Sequence, residues 1–174
     1  MNHLSDEYIM EKVKSGNIDY MTEIFNRYNN QILNYFFQLS RNLEDSQDLT
    51  QTVFLRLLKY RTSFNQSQSF KSWIYRVSKN VLNNYYQSNK VKSDNSEILN
   101  QLPDTSLSDG ENDIKLYHSI SMLSGEYKEL IVLSKFQGLK YKEIADMFST
   151  TEASIKNKIF RALDKLREIY FETE

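Results

Sequence analysis

Proline occurs once in these 174 residues, at Pro103, and glycine only four times. Both residues interrupt regular helix, proline by removing a donor and clashing with the preceding turn, glycine by its conformational freedom. A chain with so few breakers is constrained towards helices. From Asp6 to Gln38, Tyr8, Ile9, Val13, Met21, Ile24, Phe25, Tyr28, Ile32, Leu33, Phe36 and Phe37 recur at three- and four-residue steps, and Gly16-Asn17 divides the run into two helices. A third helix is predicted from about Leu43, with Leu49, Val53, Phe54, Leu57 and Leu58 on one side. After a polar loop from Arg61 to Ser69, a fourth runs from Phe70 to Gln87 on a stripe of Phe70, Ile74, Val77, Val81 and Tyr85. Residues 94–113 lack periodicity, are rich in Ser, Asn and Asp, and contain the one proline, as in an extended tether. Helices resume over Ile114–Leu123, Glu126–Phe136, Tyr141–Phe148 and Glu152–Phe171. The expected fold is all-α: two small helical domains, 1–92 and 114–174, joined by a flexible acidic linker over 93–113. Domains of this size bury little surface and are marginally stable alone.

A hydrophobic fraction of 40% is enough for a packed core. Cysteine is absent, which excludes disulfides, thiolate metal sites and cysteine nucleophiles. His3 and His118 are isolated from any second ligand at metal-binding spacing, so no metal is expected. No apolar run approaches the roughly 18 residues that span a bilayer, and the N-terminus is polar and acidic. A soluble intracellular protein is expected. Neither a glycine-rich phosphate loop nor a nucleophile–base pair at known spacing is present, so the sequence predicts no catalysis, cofactor or small-molecule substrate of its own.

Charge is segregated. From Leu49 to Ser93 there is no Asp or Glu in 45 residues, but eight cations: Arg56, Lys59, Arg61, Lys71, Arg76, Lys79, Lys90 and Lys92. Six acids and no cation follow between Asp94 and Asp113, while the whole chain has a net charge of only −1. Unneutralised cations suit a phosphate backbone. An extended acidic stretch suits something cationic, or is simply a solvated tether kept extended by its own charge.

The segment Lys140–Lys156 has the form of a helix-turn-helix. A short helix carrying Ile144 and Ala145 reaches a tight polar turn at Ser149 to Thr151, and Thr151 is placed to cap the helix that follows. Ala145 is small enough to let the two helices cross closely. On the second helix, Ile155, Ile159, Ala162, Leu163 and Leu166 make the stripe to be buried. Asn157, Phe160 and Arg161 lie opposite, flanked by Lys156 and Lys158. Arg and Lys donate to guanine edges, Asn pairs with adenine and an aromatic ring meets the thymine methyl, so this side can read a major groove. An ordinary solvated basic face has the same pattern.

The two halves together resemble one family, the bacterial RNA polymerase sigma factors of the extracytoplasmic-function group, within the sigma-70 family. Asp45-Ser-Gln-Asp-Leu-Thr-Gln-Thr-Val-Phe-Leu-Arg-Leu is similar to the family's core-binding helix, D-x-x-D-L-x-Q-E-x-F. Phe70-Lys-Ser-Trp-Ile-Tyr-Arg-Val-Ser-Lys-Asn-Val is similar to F-x-x-W-L-x-R-I-A-x-N of its promoter-melting helix. Leu123-Ser-Gly-Glu-Tyr, Phe136-Gln-Gly-Leu-Lys-Tyr-Lys-Glu-Ile-Ala and Ser154-Ile-Lys-Asn-Lys-Ile-Phe-Arg-Ala-Leu follow in the family's order, the last similar to T-V-K-S-R-L-x-R-A. Thr52 stands where an acid is usual, Ser149 where glycine is common and Ser154 where threonine is typical.

The resemblance implies a cytoplasmic transcription initiation factor that binds core RNA polymerase and directs it to promoter DNA, with an anti-sigma factor as the partner that the family often has. Asp45, Asp48, Leu49, Gln51 and Phe54 match the face that grips the polymerase: carboxylates rim an apolar patch, although Asp45 also fits a helix cap and Leu49 and Phe54 also fit the core. The loop with Arg61 and Asn65, and Arg76, Lys79, Asn80 and Asn83 on the following helix, match the reader of the unpaired minus-ten element. Trp73 adjoins the apolar stripe and is expected in the core rather than stacked on a base. Lys156, Asn157, Lys158, Phe160 and Arg161 match the reader of the minus-thirty-five element, and the linker matches the connector that enters the polymerase's channels. A helix-turn-helix regulator independent of polymerase accounts for the second domain alone, and a helical protein-interaction module accounts for the charge blocks alone.

Overall fold

The computed structural model describes residues 4–92 and 111–172. Eight α-helices lie among them, with no strand: α1 (Asp6–Lys14), α2 (Met21–Ser40), α3 (Leu43–Lys59), α4 (Phe70–Lys92), α5 (Glu111–Ser121), α6 (Gly125–Ile131), α7 (Tyr141–Met147) and α8 (Glu152–Glu172). The chain divides into two compact units, α1–α4 and α5–α8. The acidic tether expected over 93–113 lies outside the described residues as far as Gly110, and its last three residues begin α5 instead. At the other end α4 continues past Gln87 to Lys92.

In the first unit α3 packs between α2 and α4, and α1 lies against α2 and α4. Capping residues set the helix starts. Ser5 Oγ accepts from Tyr8 N at 3.2 Å, and Asn42 Oδ1 accepts from Asp45 N at 3.0 Å. The break expected at Gly16-Asn17 is a left-handed glycine (φ 105°) leading into a short 3-10 turn, Ile18–Tyr20. The core is aromatic. Tyr28 meets Phe70 edge-on at 5.2 Å, Tyr35 meets Tyr75 at 5.6 Å, and Phe64, Phe70 and Trp73 pack together with centroids 5.2–5.9 Å apart. Trp73 is therefore a core residue, as expected, whereas the fully buried Tyr75 lies outside the stripe read from the sequence.

In the second unit α8 is the long helix on which α5, α6 and α7 pack. Leu123, Ile131, Ala162 and Ile169 form its central cluster, flanked by Tyr127, Leu163 and Leu166. The helix expected over Glu126–Phe136 changes character partway: α6 gives way to a π-helical turn, Val132–Phe136, in which Gln137 N donates to Val132 O. Gly138 (φ 65°) then closes it, with Leu139 N donating to Leu133 O at 3.0 Å.

The turn between α7 and α8 has the same chemistry without glycine. Thr150 N donates to Ala145 O at 3.0 Å while Ser149 takes φ 52°. A side chain in this left-handed conformation costs about 1–2 kcal/mol. Ser149→Gly should therefore raise the unfolding free energy of this unit by about 1 kcal/mol, measured by thermal or urea denaturation; a lower midpoint would show that the serine side chain supports the turn.

Candidate functional site

Three groups of side chains gather the residues expected to act, two on the first unit and one on the second.

The first is the exposed face of α3. Asp48 and Gln51 are exposed. Leu49 and Phe54 are not: they are 8% and 7% exposed, and the Phe54 ring is covered by Phe25 at 4.9 Å. The apolar residue that does reach solvent is Leu55, 67% exposed and seven positions after Asp48, hence on the same side of the helix. Its phase relative to Asp48 and Gln51 was available in the sequence. Asp45 is half-buried at the third position of α3, and its Oδ2 accepts from Tyr85 of α4 at 2.6 Å. Burial and that bond push the Tyr85 phenol up to about 12, so it remains a donor throughout the neutral range. One carboxylate, Asp45, is thus committed to tying α3 to α4, and the other, Asp48, faces outwards.

The second group is the segment from Arg61 to Ser69 with the exposed side of α4. The segment opens with a 3-10 turn, Arg61–Ser63, where Arg61 Nη1 donates to Leu58 O at 2.9 Å. Asn65 Oδ1 accepts from Ser67 N at 3.0 Å and Ser67 Oγ at 2.8 Å, and Gln68 N donates to Asn65 O, so the carboxamide shapes the tip of the loop itself. Asn80 and Asn83 are exposed on α4, and Arg76 and Lys79 are half-buried beside them. Opposite, Phe70, Ile74, Ser78, Val81 and Leu82 are buried. Among the described residues, Nε of Arg61 and Nε of Arg76 are buried without a hydrogen-bond partner. Such groups are costly in a free protein.

The third is α8. Thr151 Oγ1 accepts from Ser154 N at 3.1 Å and caps it, as read from the sequence. Ala145 on α7 and Ile155, Ile159 and Ala162 on α8 are buried, and the two helices pack on one another. Lys156, Asn157, Phe160 and Arg161 are exposed together, Phe160 at 67%. Lys158 stands apart from them. Half-buried, it donates Nζ to Glu126 Oε1 at the start of α6 and so ties α8 to α6. The pairing spans 32 residues and has no local signature in the chain.

No group of three or more His, Cys, Asp or Glu side chains that could hold a metal occurs among the described residues, and no described helix is long and apolar enough to cross a membrane.

Comparison with known proteins agrees with this arrangement in both units. Residues 24–91 match the sigma-70 region 2 family, and residues 113–166 match sigma-70 region 4, together well over half the chain. RNA polymerase sigma factor YlaC of Bacillus subtilis is 27% identical over 86% of this chain and 91% of its own length. The ECF RNA polymerase sigma-E factor of Haemophilus influenzae is 24% identical over 94% of both. Among solved structures, sigma factor RpoE of Bartonella quintana, determined in complex with the anti-sigma factor NepR, shares the fold with a TM-score of 0.75 and 18% identity. It covers 85% of this chain and 94% of RpoE. The chain belongs to the sigma-70 family of RNA polymerase sigma factors, in the extracytoplasmic-function group, and has the transcription-initiation role of that family.

Proposed function

We propose that the protein binds core RNA polymerase through the outer face of α3, captures an unpaired minus-ten base with the 61–69 loop and α4, and reads the duplex minus-thirty-five element with α8. The observation that carries this reading is the division of labour on the first unit. An exposed acid, Asp48, stands with Gln51 and Leu55 on α3, whereas the loop and α4 present Asn80, Asn83, Arg76 and Lys79 without a single acid from Leu49 to Ser93. A partner protein and a polyanion thus meet separate surfaces. Extracting a base from the stack costs a few kcal/mol, which a cationic groove and a shaped pocket offset.

Domains 1–92 and 114–174 accordingly take the polymerase/minus-ten and minus-thirty-five roles, with 93–113 as the connector between them. The polymerase supplies the chemistry. An anti-sigma factor is an expected partner, as RpoE of Bartonella quintana has in its crystal.

Purified core polymerase, a genomic fragment library and the protein suffice to test this. Start sites that depend on the protein and share two spaced upstream elements are expected. If no start depends on it and the protein alone shifts duplex DNA, the polymerase-independent regulator is the correct account. On the promoter so defined, Asn157→Ala or Arg161→Ala should cost about 1–3 kcal/mol at one base pair of the minus-thirty-five element, measured by competition binding of holoenzyme to single-base variants. Equal loss on every sequence would assign these side chains to phosphate.

A further inference from the structure

After its opening 3-10 turn the 61–69 loop has no sheet ladder or helix to fix its path, yet the stretch from Phe64 to Phe70 is held at both ends by one element far away in sequence. Lys14 Nζ, at the last turn of α1, donates to the carbonyl oxygen of Phe64 at 2.9 Å. Glu7 Oε1, in the first turn of α1, accepts from the backbone N of Phe70 at 2.9 Å, across 63 residues. The two rings at these anchor points are fully buried and lie 5.9 Å apart, while residues 65–68 between them are exposed.

The chemistry of each contact suits its place. A carboxylate at the N-terminal amide of α4 meets the positive end of the helix dipole, and an ammonium on a lone carbonyl makes a charge-assisted bond. Lys14 Nζ also lies 3.9 Å from Oε2 of Glu11, three residues earlier on α1. The helix that bears both side chains is itself clamped: Asp6 accepts from Arg27 Nη1 at 2.6 Å and from the Tyr28 hydroxyl, and Arg27 also donates to Leu4 O and pairs with Glu23. Tyr28 in turn packs edge-on against Phe70. Neither Glu7 nor Lys14 belongs to the surfaces described above.

We propose that α1 is a brace for the base-capture loop, with Glu7 and Lys14 as positioning residues that set the specificity of minus-ten recognition without touching DNA. This rests on the function proposed above for the loop. With the brace intact, residues 65–68 are strung between two fixed points with an internal turn at Asn65, so the loop meets the unpaired strand already shaped. Released at either end, the loop samples other paths, and misplacement of about 1 Å is enough to lose much of an oriented contact.

The test uses holoenzyme, core polymerase plus full-length protein, on forked promoter fragments carrying each of the four bases at each unpaired minus-ten position. The readout is the ratio of best to worst base. In Glu7→Ala and Lys14→Met the ratio should fall about tenfold, with core binding and minus-thirty-five discrimination unchanged. Glu7→Gln, which keeps an oxygen acceptor, and Lys14→Arg, which keeps the donor, should restore it. An unchanged ratio in the Ala and Met variants overturns the brace. So does a uniform loss of core binding and of discrimination at both elements, which would mark global destabilisation, and so does a Gln variant as defective as Ala. Absence of base preference in the unmodified holoenzyme removes the capture function of the loop itself, and is told apart because no variant is needed to see it.

Discussion

Asp48→Lys should abolish stable association with core RNA polymerase and leave the fold intact. The side chain is exposed on α3, and the hydrogen bond from Thr52 Oγ1, at 2.9 Å, goes to the backbone oxygen of Asp48 and not to its carboxylate. Substitutions at such positions usually change stability by less than about 0.5 kcal/mol. At an interface the account differs. Like charges brought together cost several kcal/mol, equivalent to at least about a hundredfold in affinity. Fluorescence-detected binding of labelled core to the variant, beside its denaturation curve, separates the two effects. Normal affinity, or normal transcription, would remove α3 from the polymerase interface. Asp45 is the poorer probe of the pair, because its substitution would also release Tyr85 and loosen α3 from α4.

The second large effect is structural. Phe70→Ala should destabilise the first unit by about 3–5 kcal/mol, a substantial part of the 5–15 kcal/mol that holds a typical domain. Phe70 is fully buried, its ring touches Tyr28, Phe64 and Trp73, and it begins α4 immediately after the loop. Truncation leaves a cavity at the point where three elements converge, and little there can collapse to fill it. Trp73, the chain's one tryptophan, sits in the cluster, so its fluorescence reports unfolding of this unit directly. A shift under 1 kcal/mol in urea denaturation would show that the cluster repacks.

The sequence was informative wherever the signal is local and periodic. The order of the helices, the Gly16-Asn17 break, the Thr151 cap and the buried Ala145 all arise from spacing or from residues a turn apart and are found as the pattern put them, although α4 and α5 each extend further at one end and the helix expected over Glu126–Phe136 finishes in a π-helical turn. The α8 face was legible for the same reason: a buried stripe of Ile155, Ile159 and Ala162 fixes what must point outwards. Failures arose where a side chain's partner is distant. Tyr75 escaped the α4 stripe because that helix is buried on more than one side, and the second side is defined by Tyr35 of α2. Glu7 and Lys14 read as ordinary helix-end charges, since nothing near them in the chain announces a loop 50 or more residues away. Leu49 and Phe54 show a further ambiguity. On a helix that is both packed and exposed, apolar residues at core spacing can be assigned to either side, and here they fall inward while Leu55 falls outward.

The clip between Lys158 and Glu126 changes how ionic strength should act on α8. Five cations lie along this helix, but Lys158 is paired with Glu126, Lys165 with Glu168 and Arg167 with Asp164. Lys156 and Arg161 are the two left without an acidic partner among the described residues. Each phosphate neutralised by a protein cation releases a condensed counterion and steepens the fall of affinity with salt by about 0.9 in log–log slope. The contribution of this helix to that slope should therefore correspond to about two counterions rather than five. Glu126→Gln, by freeing Lys158, should add about one more.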